Sequence, residues 1–337
     1  MNGTVLVARL DSAGDVLLAG PAVRAVAAHA DRVVLLTGPH GRAAGLLLPG
    51  VDQVIEWSAP WIDPDPKPVT SEHVAVLHGA VRTEAPGIAL LLTSFHQCPL
   101  PLALLLRLAG VGWIGAISDD YPGSLLDLRH RVDDDLPEAR RALSLAYAAG
   151  FPLPPGDDGR LAVRRPLPDV EHLTAGPGYV VVHPGASAPA RQWPAQRCAQ
   201  AVRALTEAGH RVLVTGSPDE WDLTAAVAGD TGTDLGGCTD LNMLAAVLDG
   251  AQVLVVGNTG PAHLAAAVGT PVVSLFAPVV PAARWAPYGV PTVLLGDQDA
   301  PCRDTRVRYC PIPGHPCLTG VEPDDVVKAV DSLLETA

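Results

Sequence analysis

Arg191 stands in "HPGASAPARQWP", residues 183–194, between an apolar run and a tryptophan, with Ser187 four positions ahead of it. A guanidinium that stays charged at any working pH, beside a hydroxyl donor, suits phosphate oxygens, which arginine takes two at a time. A second stretch, "VVGNTGPAHLAAAVG" at 255–269, sets Asn258, Thr259 and Gly260 between a strand and a helix, with Pro261 at the expected first helical position. The N–H groups of Thr259, Gly260 and Ala262 then point beyond the helix start, where the dipole favours an anion. That preference is only about 0.3–1 kcal/mol at an exposed end, so side chains such as Ser187 and Arg191 have to add to it. Two anion-suited loops in one half of the chain fit a diphosphate.

Two further stretches carry carboxylates. In "TGSPDEWD", 215–222, Gly216 turns the chain out of a strand, and either Asp219 or Glu220 is placed to accept hydrogen bonds from ribose hydroxyls. The same letters also spell a helix start with an acidic first turn. Near the beginning, "RLDSAGDVLLAGPAV" puts Ser12, Gly14 and Asp15 on the loop entering the first helix. Asp15 there is either a helix cap or a catalytic carboxylate. A carboxylate at a helix N-terminus stays ionised and is available as a base. The dinucleotide fingerprint G-x-G-x-x-G is missing, as are the Walker loop and the G-x-S-x-G elbow.

The elements that must hold these residues alternate. "TVLVAR", "RVVLLTG", "VDQVIEW", "GIALLLTSF" and "WIGAIS" read as strands, with helices at "VLLAGPAVRAVAAHA", "GRAAGLLL", "PLPLALLLRLAGV" and "LPEARRALSLAYAAG". "APWIDPDPKPVT" is too rich in proline for regular structure. The second half repeats the alternation from "YVVVHPG" to "PVVSLFA", and four of its helices end in glycine, the expected left-handed terminator. Such alternation predicts two doubly wound parallel sheets, with ligand in a cleft at the carboxyl ends of their strands. The expected domains are residues 1–165 and 175–320, joined by a linker between about Pro152 and Gly178. The last helix, within 321–337, is expected to pack back on the first domain.

Bulk properties exclude several classes. At 337 residues the chain suits two domains, and 48% apolar residues suit an aliphatic α/β interior. A net charge of −13 with no basic stripe argues against a nucleic-acid partner. No transmembrane run is present, and Arg9 and Asp11 fall where the apolar region of a signal peptide would lie, which predicts a cytoplasmic protein. Of six cysteines, Cys302, Cys310 and Cys317 share a loop with His315, but their gaps lack the short spacing of a structural zinc site. Reduced thiols and no metal are expected. Asp133, Asp134 and Asp135 read as a solvated charge run, and His183 and His263 as packed or capping histidines.

Taken in order and spacing, "RLDSAGDVLLAGPAV", "HPGASAPARQWP", "TGSPDEWD", "GNTGPAHLAAAVGTPVVSLF" and "PCRDTRVRYCPIPGHPCL" resemble the ADP-heptose:lipopolysaccharide heptosyltransferases of glycosyltransferase family 9. The resemblance covers nearly the whole chain. It implies the GT-B fold, two Rossmann-like domains facing across a cleft, the first for the acceptor and the second for the nucleotide sugar. It also implies inverting transfer without a metal or cofactor, an ADP-sugar serving as substrate. Asp15 would be the general base, and Ser187, Arg191, Thr259 and Gly260 would hold the diphosphate, with Asn258 on the donor side. Gly216 with Asp219 or Glu220 would hold the ribose, and Gly237 and Thr239, within 237–240, would cradle adenine. Ser12 and Gly14 would lie on the acceptor-side loop. Arg191 replaces the family's usual lysine and Asn258 a frequent aspartate. The first half lacks a basic cluster for a phosphorylated lipid, so the expected acceptor is a glycan or a small natural product such as an aminocyclitol. Two other readings share this sequence: a GT-B enzyme using another nucleotide sugar (a transferase, 2-epimerase or hydrolase) and a sugar-nucleotide sensor that turns nothing over.

Overall fold

The computed structural model describes residues 3–132 and 135–335, so Asp133 and Asp134 of the expected charge run lie outside the described residues. The chain divides between Arg164 and Arg165 into two compact units. The first holds β1 (Thr4–Arg9), β2 (Arg32–Thr37), β3 (Gln53–Glu56), β4 (Ile88–Leu91), β5 (Trp113–Ile117) and β6 (Leu128–His130). The second holds β7 (Tyr179–His183), β8 (Val212–Val214), β9 (Thr233–Asp234), β10 (Ala251–Gly257), β11 (Val272–Leu275) and β12 (Thr292–Leu295). The sheets run β3-β2-β1-β4-β5-β6 and β9-β8-β7-β10-β11-β12, and neighbours pair in parallel, Val5 with Val33 and Val255 with Val182 among them. Each unit therefore has the Rossmann order 3-2-1-4-5-6, with its switch point between its first and fourth strands. The central strands are buried on both faces, which is why they read as unbroken apolar runs rather than alternating ones.

Among the elements that the sequence does not announce are one helix and two strands. The helix Ser71–Glu84 carries His73, His78 and Gly79 in a weakly amphipathic run, β6 is a three-residue edge, and β12 follows a proline-bearing loop. The single helix expected from Val16 to Ala30 is two, Ala13–Leu18 and Gly20–Ala27. Pro21 has no N–H to return to Leu17, so the ladder breaks there. Among the four expected terminators, Gly209, Gly229 and Gly269 take positive φ, but Gly250 has φ −82°. A Cβ at Gly250 would lie 2.8 Å from the Tyr179 hydroxyl, so close approach requires this glycine, not handedness.

Residues 151–164 pack with the first unit, which buries Phe151, Leu161 and Val163. Arg24 grips Asp157 with two hydrogen bonds of 2.7 and 2.8 Å, and Arg164 N donates to Leu47 O at 2.7 Å. The last helix, Pro323–Glu335, does not follow the expectation that it returns to the first domain. Its stripe of Val326, Ala329, Val330 and Leu333 is buried in the second unit's core with Val202 and Leu205 of the helix Ala195–Glu207. The spacing of that stripe makes one apolar face, and the matching stripe lies in its own unit. Among the described residues, no helix is long and apolar enough to cross a membrane.

Candidate functional site

In the first unit the chain leaves β1 and β4 in opposite directions, and polar residues gather at their carboxyl ends. β1 ends on Arg9, whose residue is only 2% exposed. Three carboxylates surround it. Asp11 Oδ2 lies 2.8 Å from Nε, Asp15 Oδ1 accepts from Nη2 at 2.9 Å, and Glu138 Oε2 accepts from Nη1 at 3.3 Å. Nη2 also donates to Ser94 Oγ, just past β4, at 2.7 Å. Gln97 donates to Asp11, and Arg141 donates to the Thr93 carbonyl while standing 3.8 Å from Glu138. Burial works against charge on Arg9, but Asp11, Asp15 and Glu138 outweigh it and hold the guanidinium above its ordinary pKa. Burial, opposed by Arg9 and reinforced by the charge of Asp15, pushes Asp11 up to about 6.

Asp15 is the third residue of the helix Ala13–Leu18, not its cap. Ser12 holds the cap position without capping, and its Oγ donates instead to Asp15 Oδ2 at 2.9 Å. Gly14 is buried beneath them, while the Asp15 side chain keeps 20% of its surface exposed. The result is a tethered, accessible carboxylate. Gln97 and Arg141 of the same cluster line a cavity of about 210 Å³ together with Phe95, Ile117, Asp119 and Asp120. Sequence reasoning found Asp15, Ser12 and Gly14 but missed Arg9, Asp11, Ser94, Gln97, Glu138 and Arg141. The one available signal was a charged residue closing the apolar run "TVLVAR".

In the second unit the switch point lies between β7 and β10. β7 ends on His183, whose Nδ1 lies 3.1 Å from Thr215 Oγ1 at the end of β8. Burial holds His183 below the ordinary histidine pKa, with Glu220 opposing, so it packs as a neutral side chain. Beyond it Ser187 is exposed, and Arg191 ends the short turn Pro189–Arg191, half-buried. The turn is braced from far along the chain. Ala190 N donates to Arg308 O at 3.0 Å, His315 Nε2 lies 3.1 Å from Ala190 O, and Trp193 Nε1 donates to Leu318 O at 3.0 Å. A Cβ at Gly257 would lie 2.7 Å from the Arg191 carbonyl, so the two loops cross with room only for glycine.

After Gly257 comes Asn258, 6% exposed, and neither its Oδ1 nor its Nδ2 has a hydrogen-bond partner. Thr259 holds the cap position of the helix Gly260–Val268 with no side-chain cap bond. Pro261 is thus the second helical residue rather than the first. Of the three N–H groups expected to face an anion, Thr259 N already donates to Gly257 O and Ala262 N to Thr259 O, which leaves Gly260 outside the backbone ladder. His263 is buried in that helix, as its packed reading anticipates.

Glu220 fulfils the helix-start reading: its carboxylate accepts from Ser217 N at 2.8 Å and Oγ at 3.0 Å, closing a capping box. That carboxylate also lies where a Cβ at Gly185 would be, which brings it to the loop that carries Ser187. Asp219 is exposed beside it. Gly237 N donates to Gly216 O at 3.0 Å, joining the loops after β8 and β9. Thr239 precedes Asp240, which caps the helix Leu241–Asp249 through Met243 N at 2.8 Å. The structure thus assembles Ser187, Arg191, Gly216, Glu220, Gly237, Asn258, Thr259 and Gly260 on the loops that follow four strands of one sheet. A larger cavity, about 810 Å³ and lined by Arg165, Glu171, Tyr179 and Asp249, sits at the opposite end of β7.

All six cysteines are free. Cys302 and Cys310 neighbour Cys317, and burial together with those thiols pushes Cys317 up to about 12. Among the described residues, no group of three or more His, Cys, Asp or Glu is arranged to hold a metal ion.

The chain can now be set beside known proteins. The family model for glycosyltransferase family 9 (heptosyltransferase) matches residues 100–315. A lipopolysaccharide heptosyltransferase 3 of Escherichia coli is 31% identical over 178 residues, 50% of this chain and 51% of that protein. The chain therefore spans about half the length of this curated relative. Among solved structures, a family 9 glycosyl transferase from Veillonella parvula superposes with a TM-score of 0.79 at 17% identity, covering 99% of this chain and 98% of that one. The ADP-heptose lipopolysaccharide heptosyltransferase II of E. coli gives 0.74 at 19%, covering 99% of each. At such identities the structures establish the fold, which is GT-B.

Proposed function

The chain belongs to glycosyltransferase family 9, and from that premise we propose that it moves a heptose from ADP-heptose to a hydroxyl of its acceptor, inverting the anomeric carbon without a metal or cofactor. The observation that carries the donor half is Asn258. Both polar atoms of its buried amide lack a partner at the start of the helix Gly260–Val268. An amide so placed costs roughly 1–3 kcal/mol, a cost offset when a sugar or diphosphate oxygen and a hydroxyl bond to it. Arg191, Ser187, Thr259 and Gly260 take the diphosphate and stabilise the charge that grows on ADP as the glycosidic bond breaks. Glu220 or Asp219 receives the ribose, and Gly216, Gly237 and Thr239 line the adenine side.

Asp15 supplies the chemistry on the acceptor side. It takes the proton of the attacking hydroxyl as that oxygen bonds to the anomeric carbon and ADP leaves, a contribution of about 10²–10⁴-fold. The neighbouring cavity holds the acceptor, a small natural product such as an aminocyclitol rather than a phosphorylated lipid. Its lining carboxylates Asp119 and Asp120 support that class. The same reading keeps the protein in the cytoplasm.

Thermal shift against ADP, UDP, GDP, dTDP and NAD, with and without EDTA, tests the donor. Stabilisation by ADP that survives chelation supports the reading, whereas a preference for UDP or dTDP, or loss of the shift with EDTA, overturns it. Product analysis with ADP-heptose and candidate acceptors then separates an enzyme from a protein that only binds.

A further inference from the structure

Arg9 takes no part in the steps above, yet it is the largest of the fully buried side chains and lies at the centre of three carboxylates. We propose that Arg9 is the positioning residue for Asp15, fixing the direction of its carboxylate and keeping it unprotonated until the acceptor hydroxyl arrives. The inference rests on the reading of Asp15 as the base.

The direction follows from how the oxygens are held. Arg9 Nη2 holds Oδ1 and Ser12 Oγ holds Oδ2, both at 2.9 Å, so the carboxylate is tethered at each oxygen. The guanidinium cannot swing either, because its plane is pinned by segments distant in sequence: Asp11 after β1, Ser94 after β4 and Glu138 on the helix Glu138–Ala148. Lysine would supply the charge but not this fork.

The protonation state follows from the charge count. Arg9 is the guanidinium shared by Asp11, Asp15 and Glu138, and Glu138 also stands 3.8 Å from Arg141. Removing Arg9 takes that shared charge from all three carboxylates, and Asp15, the most accessible of them, is then the one to take up a proton from water. An adjacent arginine typically lowers a carboxylate pKa by about 1–3 units. Arg9 thus delays the proton uptake that its carboxylate neighbours favour.

The test combines a direct titration with a rate. Protein labelled with [4-¹³C]aspartate, with the Asp15 signal assigned by its loss in Asp15→Asn, is titrated by NMR as wild type, Arg9→Lys and Arg9→Gln. The Asp15 midpoint should rise by about 1–3 pH units in Arg9→Gln and stay near the wild-type value in Arg9→Lys. An unmoved midpoint in Arg9→Gln overturns the proposal. ADP release from ADP-heptose, with water as acceptor, should then fall at least about 10-fold in Arg9→Lys at its pH plateau while KM for ADP-heptose stays within about 2-fold, the mark of lost orientation with charge retained. An unchanged rate there removes the positioning role.

Should Arg9→Gln fail to fold, the double variant Arg9→Gln/Glu138→Gln keeps the cluster's net charge. It should still lose the rate, and a wild-type rate in it sinks the proposal. Activity in Asp15→Asn would instead refute the base itself, so the two failures are told apart.

Discussion

At the switch point between β1 and β4 the first unit packs a guanidinium among three carboxylates, with Ser94 and Gln97 completing the set. At the equivalent point between β7 and β10, the second unit places a glycine crossing and a buried amide with both polar atoms unpartnered. The strand order is the same. What differs is the character of the polar groups. The first unit gathers charge: Arg9 meets three carboxylates and Ser94, although Arg9 Nε and Glu138 Oε1 keep no hydrogen-bond partner. The second buries a neutral amide with both polar atoms unpartnered, which suits recognition of a polar ligand. One topology thus carries a charged cluster in one half and an unpartnered amide in the other, because the loops, not the sheet, differ.

The sharpest way to break this comparison is Asp15→Asn. Transfer measured by ADP release with the true acceptor should fall about 10²–10⁴-fold, while the ADP affinity measured by calorimetry stays within about 2-fold. A comparable loss of ADP binding would mean that the first unit's cluster is not confined to the chemical step. Next in size is Arg191→Ala. Losing charge-assisted bonds worth roughly 1.5–3 kcal/mol should weaken ADP by about 10–100-fold and leave adenosine nearly unaffected. Equal losses for both ligands would place Arg191 away from phosphate.

Asn258→Leu probes the unsatisfied amide with opposite signs. Removing a buried group without a partner should raise the stability of the unliganded protein by about 1 kcal/mol, read as a higher denaturation midpoint, and at the same time raise KM for the ADP-sugar about 10-fold. A destabilised variant would show that the amide already has its partners in the unliganded protein.

The smallest effect concerns the charged cluster. Asp11 is pushed from the ordinary carboxylate value to about 6 in the folded protein. The folded state therefore holds that proton more tightly than the unfolded chain does. Its contribution to stability is full below about pH 4 and is lost as the pH rises to about 6. Asp11→Asn removes the titration, so wild type should lose roughly 1–3 kcal/mol relative to the variant between pH 4 and pH 7. Parallel urea midpoints across that range would show that Asp11 is ionised throughout.

Much of this was legible in the sequence, for an identifiable reason. The alternation of apolar strands and amphipathic helices is a local signal, and it located ten of the twelve strands; β6 and β12 lie at sheet edges, are short, and bury too little to leave a pattern. The recognition loops of the second unit were legible too, because Ser187 and Arg191, or Asn258, Thr259 and Gly260, lie within a few residues of one another. The surroundings of Asp15 were not. Ser94 reaches Arg9 across 85 residues and Glu138 across 129, so no window of sequence contains the cluster. Arg9 looked like the polar end of a strand, and its burial depends on partners that only the sheet brings near. Gly250 misled for a related reason: a helix-ending glycine suggests handedness, whereas the demand comes from Tyr179, in a strand 71 residues earlier.

The brace on the turn Pro189–Arg191 sets an order on the making of this protein. Each of the hydrogen bonds from Trp193 to Leu318 and from His315 to Ala190 joins positions 125 residues apart. During synthesis the strands β7 to β12 can pair as they emerge, and a domain commonly folds as its chain appears. That turn, however, waits for residues 308–318 to clear the ribosome before its last tethers exist. A chain interrupted at residue 300 would hold all twelve strands and still lack the closing stitches of the loop that carries Arg191. Nascent chains of increasing length, challenged with protease, would gain protection around Arg191 only after Leu318 had been added.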